Sequence, residues 1–429
     1  MLRFFLAICM IFVSAQAYDF NFIKKHGTDN NNTLLVIGGI HGNEPGGYFS
    51  AEILASHYKI KSGNLWIVPN LNARSIQADK RGVFGDMNRK FSTITKNDPD
   101  FDIVSDIKKI ILDKNVTLII NLHDGHGFYR NKNLGTIFNP KAWGQTCVID
   151  QCNLKNSATY NNMDKIATKV KENINKSLIE NHHIFNVKNT NTKFDDEEMR
   201  HSLTYFAVTH NKPAFAIETS KNLSSLSQKV YYQLNAIEEF MTIMNIKFER
   251  DFKLDSKDIT NIINDYGSII INGNILLDLR DIKKSLSFIP LQWRNNDFVF
   301  SSSIGSVKTQ NGSFDLYVGN KKITTLHREN FSLCKKSDNN VSIEVDGKVK
   351  QFKFASEFFV NDDFKVVNSN NLRVNVIGFT DKTHKNESGL TINYKSLDKN
   401  YSIDNHKKRF RIEFYDKSSF CGMILVNFR

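Results

Sequence analysis

The stretch "TLLVIGGIHGNEPGG", Thr33 to Gly47, decides how this chain is read. Its first half is an unbroken apolar run, without the alternation of a strand that has one wet face. Such a run fits a strand buried on both sides, as in the parallel sheet of an α/β domain. The second half breaks into glycines and a proline, which alone would be an ordinary turn. His41 and Glu44 change that reading, because both are metal-ligating types. Ligands of open α/β sheets gather just beyond the carboxyl ends of the strands, and the order of residues puts His41 and Glu44 there.

Outward from this stretch the pattern repeats. Strands are predicted at Thr33–Ile40, Asn64–Val68, Val116–Leu122 and Ala214–Ile217. Between and after them, Ile103, Ile107, Ile110 and Ile111 mark one amphipathic helix, Ile166, Val170, Ile174 and Ile179 a second, and Val230, Leu234, Ile237 and Met241 a third. Strands alternating with helices imply a largely parallel sheet flanked by helices. After about Lys247 the texture changes: "FERDFKLDSKD" reads as a charged linker, and helical periodicity nearly vanishes beyond it. Asn272-Gly273 and Asp346-Gly347 are hairpin turns between apolar runs. Leu372, Val374 and Val376 alternate, as do Phe410, Ile412 and Phe414. The expected organisation is an α/β domain over 18–248, a β-barrel or sandwich over 252–340, and an immunoglobulin-like β-sandwich over 341–429.

The amino terminus, "MLRFFLAICMIFVSAQAYDF", has a basic start, an apolar stretch too short to span a bilayer, and an Ala-Gln-Ala cleavage signal. It reads as a secretory leader over 1–17. No other run is long and apolar enough for a membrane span, so an exported protein without stable membrane insertion is expected. Cleavage leaves Cys147, Cys152, Cys334 and Cys421, an even number that fits two disulfides in an oxidising compartment, Cys147–Cys152 and Cys334–Cys421. The net charge of +12 falls to +11 when Arg3 leaves with the leader. A diffuse basic field outside the cytoplasm favours acidic wall polymers or anionic lipid, and no dense Lys/Arg tract calls for nucleic acid.

Three predicted strands end in chemistry-bearing residues: the first in His41 and Glu44, "VTLIINL" in His123, and "PAFAI" in Glu218. If these strands are parallel neighbours, the four side chains meet over one sheet edge. Two histidines and a carboxylate are the ligand set of a catalytic zinc with one open position, where a water becomes acidic enough to attack near neutral pH. A second carboxylate, Glu218, would then move the proton to the leaving amine. His126 is an alternative ligand, further from the strand than His123. Between the strands, "NLNARSIQADKRGVFGDMNRKF" supplies Arg74, Arg81, Asn88 and Arg89, types suited to an oxyanion or a terminal carboxylate.

The ordered set His41-x-x-Glu44, "GDMNRKF", "NLHDG" and "FAIETS" resembles the zinc carboxypeptidase superfamily over roughly residues 18–246. The resemblance implies a mixed α/β fold, zinc on His41, Glu44 and His123, Arg81 as the oxyanion arginine, Asn88 and Arg89 as the anchor for the substrate carboxylate, and Glu218 as general base. "GGIHGNEPGG" with "NLHDGHGFYR", a leader and two β domains is similar to the periplasmic peptidoglycan DL-carboxypeptidases that set helical cell shape. That likeness implies release of meso-diaminopimelate from stem tripeptides, with muropeptides as substrates and cell-shape scaffold proteins as further partners. Trp143 is placed at the cleft rim, Thr204 against substrate, and Tyr205 is the positional counterpart of a substrate-capping tyrosine. The short spacing from Glu44 to His123 also resembles the aspartoacylase and succinylglutamate desuccinylase branch, which implies an N-acyl amino acid deacylase. A non-catalytic wall-binding scaffold is the third reading, opposed by the intact four-residue set.

Overall fold

A computed structural model describes residues 19–28, 32–155, 159–334, 340–381 and 383–429. The expected leader, 1–17, lies outside the described residues. In chain order the first part contains β1 (Ile23–His26), β2 (Thr33–Ile37), α1 (Pro45–His57), β3 (Tyr58–Ser62), β4 (Asn64–Val68), α2 (Ala73–Gln77), α3 (Phe101–Ile111), β5 (Leu118–Gly125), β6 (Phe128–Tyr129), β7 (Phe138–Asn139) and β8 (Thr146–Ile149). It continues with α4 (Met163–Ile174), β9 (Asn186–Asn189), α5 (Thr192–Asp195), α6 (Leu203–Thr209), β10 (Ala214–Ser220), α7 (Leu226–Ile243), β11 (Lys247–Arg250) and α8 (Ser256–Asn264).

Seven strands form one sheet in the order β1-β4-β2-β5-β10-β8-β9. The central strands β4, β2, β5 and β10 are parallel, whereas β1 pairs antiparallel with β4 and β8 antiparallel with β10. Every residue of β2, β4 and β5 is buried, as expected of strands covered on both faces. α1, α4 and α7 pack together against the sheet, and α6 packs against β5 and β10. On α3 the predicted stripe of Ile103, Ile107, Ile110 and Ile111 is buried. Ile179, expected to extend α4, lies beyond its end at Ile174 and is exposed.

The predicted linker is structured. β11 pairs antiparallel with β3 along the domain edge, and Arg250 Nε donates to Glu238 Oε1 at 2.9 Å. α8 follows, capped by Asp255, whose carboxylate accepts from the Lys257 and Asp258 amides at 2.9 Å. Only Ile259 and Ile263, four apart, are buried on this helix. A four-residue strand and a helix with a two-residue apolar stripe carry too little periodicity to be read from sequence.

The rest is β-structure. Asn272-Gly273 joins Ser268–Ile271 to Ile275–Asp278, and Asp346-Gly347 joins Asn340–Val345 to Lys348–Lys353, all four turn residues having positive φ. One buried cluster runs from the α/β domain into the sheets before Glu329 and takes in Phe420, Met423 and Leu425. The buried residues of a second lie between Val341 and Phe428 inclusive. Cys334 and Cys421 form a disulfide. Cys147 and Cys152 do not: Cys147 sits on β8 with its side chain in the core, and Cys152 is exposed beyond the strand end. Five residues of separation allow a small loop in principle, but the strand direction turns one thiol inward and leaves the other outside.

Candidate metal centre and active-site cleft

The glycines of the opening stretch are there for close approach. A side chain at Gly42 would meet the Ser75 carbonyl oxygen at 1.9 Å, and one at Gly46 would meet Asp124 Oδ1 at 2.3 Å. Bare backbone at both positions lets the loop after β2 settle between α2 and the end of β5. Asp124 then holds it: Oδ2 accepts from the Gly46 amide at 2.9 Å, and Oδ1 from Thr219 Oγ1 at 2.5 Å. Glu44, just before Pro45 at the start of α1, is thereby brought beside His123.

His41, Glu44 and His123 are all buried, and one potential ligand atom from each lies within 4.8 Å of the others. Glu44 Oε2 is 3.0 Å from His41 Nδ1 and 2.8 Å from His123 Nδ1. The far nitrogen of each ring is also held. In the neutral ring His41 Nε2 donates to Asp86 Oδ1 at 2.8 Å, which puts the proton on Nε2 and the lone pair on Nδ1. Asn121, two residues earlier on the same face of β5, is 2.7 Å from His123 Nε2. His41 Nδ1 is buried and has no hydrogen-bond partner among the described residues. Convergent Nδ1 atoms, one carboxylate oxygen and an unsatisfied lone pair are what a divalent cation requires, so the site fits a metal.

Electrostatics tie the group together. Burial alone would push His41 down, but the Glu44 carboxylate and the Asp86 hydrogen bond outweigh it and hold His41 up at about 8. Burial would raise Glu44, but the two imidazoles outweigh it and hold the carboxyl well below its usual range. His123 is lowered by burial. Glu218 stands in register with His123 on the adjacent parallel strand β10. Burial, then the negative charge of Glu44, push it up to about 8. A buried carboxyl so placed and so shifted is suited to carrying a proton.

With the exceptions of Arg74 and Tyr205, the side chains singled out from sequence line one cleft of about 330 Å³: His41, Glu44, His123 and Glu218, then Arg81, Asn88, Arg89, Trp143 and Thr204. Arg81 Nη1 lies 3.1 Å from Glu44 Oε1 and its Nη2 3.0 Å from Asp86 Oδ2. Asn88 Oδ1 accepts from the Leu203 amide at 2.9 Å, which joins the Met87–Arg89 turn to α6 beside Thr204. The Lys188 ammonium sits 4.1 Å from the Trp143 ring centre, a cation–π contact that fixes the rim. His126 lines the cleft but is outside the ligand group. Tyr205, on α6, is not among the lining residues.

Sequence reading assigned no role to Asp86, Asn121, Lys221, Asp196 or Glu198. Asp86 caps the Met87–Arg89 turn by accepting from the Asn88 amide at 2.9 Å while accepting from His41. One carboxylate thus couples His41 to the Asn88–Arg89 pair. Its place in "GDMNRKF" was a usable signal, because an Asp before a turn is a capping type. Lys221 Nζ is 3.5 Å from Glu44 Oε1, and Asp196 and Glu198 face the cleft from the loop before α6.

Comparison with known proteins adds independent evidence. Residues 2–264 match the family model of the catalytic domain of a carboxypeptidase controlling helical cell shape, and residues 334–429 that of the C-terminal domain of metallo-carboxypeptidases. Among solved structures, the chain is similar to the apo cell shape determinant protein Csd4 from Helicobacter pylori at 34% identity, over 96% of this chain and 100% of that one, with a TM-score of 0.89. The mDAP-bound form of Csd4, described as a D,L-carboxypeptidase, matches at 34% identity over 95% of this chain and 100% of that one, with a TM-score of 0.89. The tripeptide-bound form matches at 34% identity over 96% and 100%, again at 0.89. No curated protein matches the chain.

Proposed function

This chain belongs to the family of carboxypeptidases controlling helical cell shape, and from that premise we propose that it is a zinc DL-carboxypeptidase of the periplasm. It releases meso-diaminopimelate from peptidoglycan stem tripeptides and leaves dipeptides. The observation that carries this reading is the convergence of His41, Glu44 and His123 on one point, with Glu218 in register beside them and basic groups above.

His41 Nδ1, Glu44 and His123 Nδ1 would hold the metal. When bound, zinc supplies Lewis acidity at the base of the cleft. Glu218 takes the proton of the attacking water and delivers it to the leaving amine, a role for which a carboxyl titrating near the working pH is suited. Arg81 presents its guanidinium where negative charge develops on the scissile carbonyl oxygen. Arg89, with Asn88 beside it, pairs with the free carboxylate of the terminal residue, so that a substrate lacking one is not positioned. Trp143 and Thr204 form the walls along which the stem peptide lies. Asp86 holds His41 and the Asn88–Arg89 turn in one frame, so that the cut bond and the anchored carboxylate keep a fixed separation.

The test is digestion of purified tripeptide muropeptides by metal-loaded protein, followed by chromatography. Dipeptide muropeptide and free diaminopimelate are expected. Hydrolysis of small N-acyl amino acids with no action on the muropeptides would refute the proposal.

A further inference from the structure

Arg89 and Lys90 are adjacent cations with opposite fates. Arg89 lines the cleft, whereas Lys90 is not among the lining residues and its side chain is only 13% exposed. An ammonium has three N–H donors, and here each has an acceptor: Nζ donates to the Phe84 carbonyl, to Asp98 Oδ1 and to Asp100 Oδ2, all at 2.8 Å. These acceptors come from two separate parts of the chain. Asp98 and Asp100 stand at the entry to α3, a helix seated in the core by Ile103, Ile107, Ile110 and Ile111. Phe84 is in the loop 82–85, which runs from Arg81 to Asp86. Asp100 is the N-cap residue of α3, a position from which a carboxylate ordinarily accepts from first-turn amides. It makes no such bond; its buried carboxylate pairs with Lys90 instead.

The loop that Lys90 grips has little else to hold it. Val83, Phe84 and Gly85 are exposed, so burial of apolar surface contributes little there. Two side chains tie its backbone: Ser75 Oγ accepts from the Val83 amide at 3.0 Å, and Lys90 donates to the Phe84 carbonyl. Arg81 directly precedes the loop. Its own side chain is nearly half exposed and reaches inward to Glu44 and Asp86. A long side chain on an exposed turn keeps its aim only where the backbone beneath it is held, and small displacements of a catalytic group are costly.

We propose that Lys90 is a positioning residue for the reaction. It carries the rigidity of α3 through the Phe84 carbonyl to the loop 82–85, and so fixes Arg81 relative to the Asn88–Arg89 anchor that Lys90 itself follows. The scissile carbonyl and the substrate carboxylate then meet their arginines at one separation. Lys90 acts through Arg81 and not on the substrate, so the inference rests on the role proposed above for Arg81.

The experiment is a double-mutant cycle on the zinc-loaded full chain with soluble stem tripeptide. Lys90→Met alone would strand the buried Asp100 carboxylate, so the brace is removed as Lys90→Met together with Asp100→Asn. Lys90→Gln, with fewer donors on a shorter stem, is a milder second variant and should show the same pattern in smaller degree. For the paired variant, kcat should fall about 10- to 100-fold, with KM nearly unchanged because Arg89 still anchors the carboxylate. In an Arg81→Ala background the same change should cost about twofold or less. Hydrogen–deuterium exchange on the metal-free protein gives a readout independent of turnover: the Val83 amide should exchange faster in the variants, with β5 unaltered. Equal losses in the two backgrounds, a raised KM at unaltered kcat, or unchanged exchange at Val83 would each overturn the inference while the functional reading stands. No hydrolysis of tripeptide by the unmodified protein would refute that reading and this inference with it, so the two failures are told apart.

Discussion

Metal binding should expel protons, and Glu218→Gln should change how many. Without metal, His41 and Glu218 are both held at about 8. At pH 7 each is therefore protonated to about nine-tenths, since one pH unit below a pKa leaves about ten protonated groups per ionised one. A divalent cation on His41 Nδ1 requires the neutral imidazole, and its charge favours ionised Glu218. The two groups together should release about 1.8 protons at pH 7, of which about 0.9 belongs to Glu218. The sign follows: affinity for metal rises with pH to about 9 and then levels, because by then both groups have lost nearly all their protons. The difference between the unmodified protein and Glu218→Gln should shrink from about 0.9 at pH 7 to about 0.5 at pH 8 and about 0.1 at pH 9. Calorimetric titration of zinc in buffers of different ionisation enthalpy measures this number. Equal proton release by the two proteins at pH 7 would show that Glu218 is already ionised or does not sense the metal, and the role assigned to it would fail.

Glu218→Gln should keep one metal per chain and lose about 10²- to 10⁴-fold in kcat, the range for removal of a general base; retained turnover would reject the assignment. Asp86→Ala removes the acceptor that fixes His41, and metal affinity should fall about 10- to 100-fold in competition with a chromophoric chelator. Arg89→Ala should raise KM for tripeptide far more than for an amidated tripeptide, which has no terminal carboxylate to lose; equal effects on both would displace Arg89 from the anchor. Iodoacetamide should label the folded, non-reduced protein at Cys152 alone among the cysteines of the described residues, because Cys147 is buried and Cys334 is bonded to Cys421; a disulfide-linked Cys147–Cys152 peptide on mass mapping would contradict the structure.

Legibility followed the size of each signal. Asn64–Val68 matches β4 at both ends, because a strand buried on both faces leaves an unbroken apolar run. His41, Glu44, His123 and Glu218 were readable because each follows or ends such a run, and parallel strands end on the same side. β3, β11 and α8 were not readable, since short edge elements take their stability from partners distant in sequence. Asp86 reaches His41 across a fold that sequence spacing does not show, whereas Asn121 reaches His123 from two residues earlier on the same strand, a period-2 signal that was there to be read. Cys147 and Cys152 mark the opposite failure: a spacing that permits a bond says nothing about which way a strand turns each side chain. Asp196 and Glu198 reach the cleft only because the loop before α6 crosses it, and in sequence they are part of an ordinary acidic run.

The central claim is that one divalent cation sits where three distant side chains converge. Anomalous scattering at the zinc edge from crystals of zinc-loaded protein tests it directly. The account predicts one strong peak bonded to His41 Nδ1, a Glu44 carboxylate oxygen and His123 Nδ1, at about 2.0–2.2 Å from each. A vacant position there, with the peak instead on Glu180, His182 and His183, the other such group among the described residues, would contradict it.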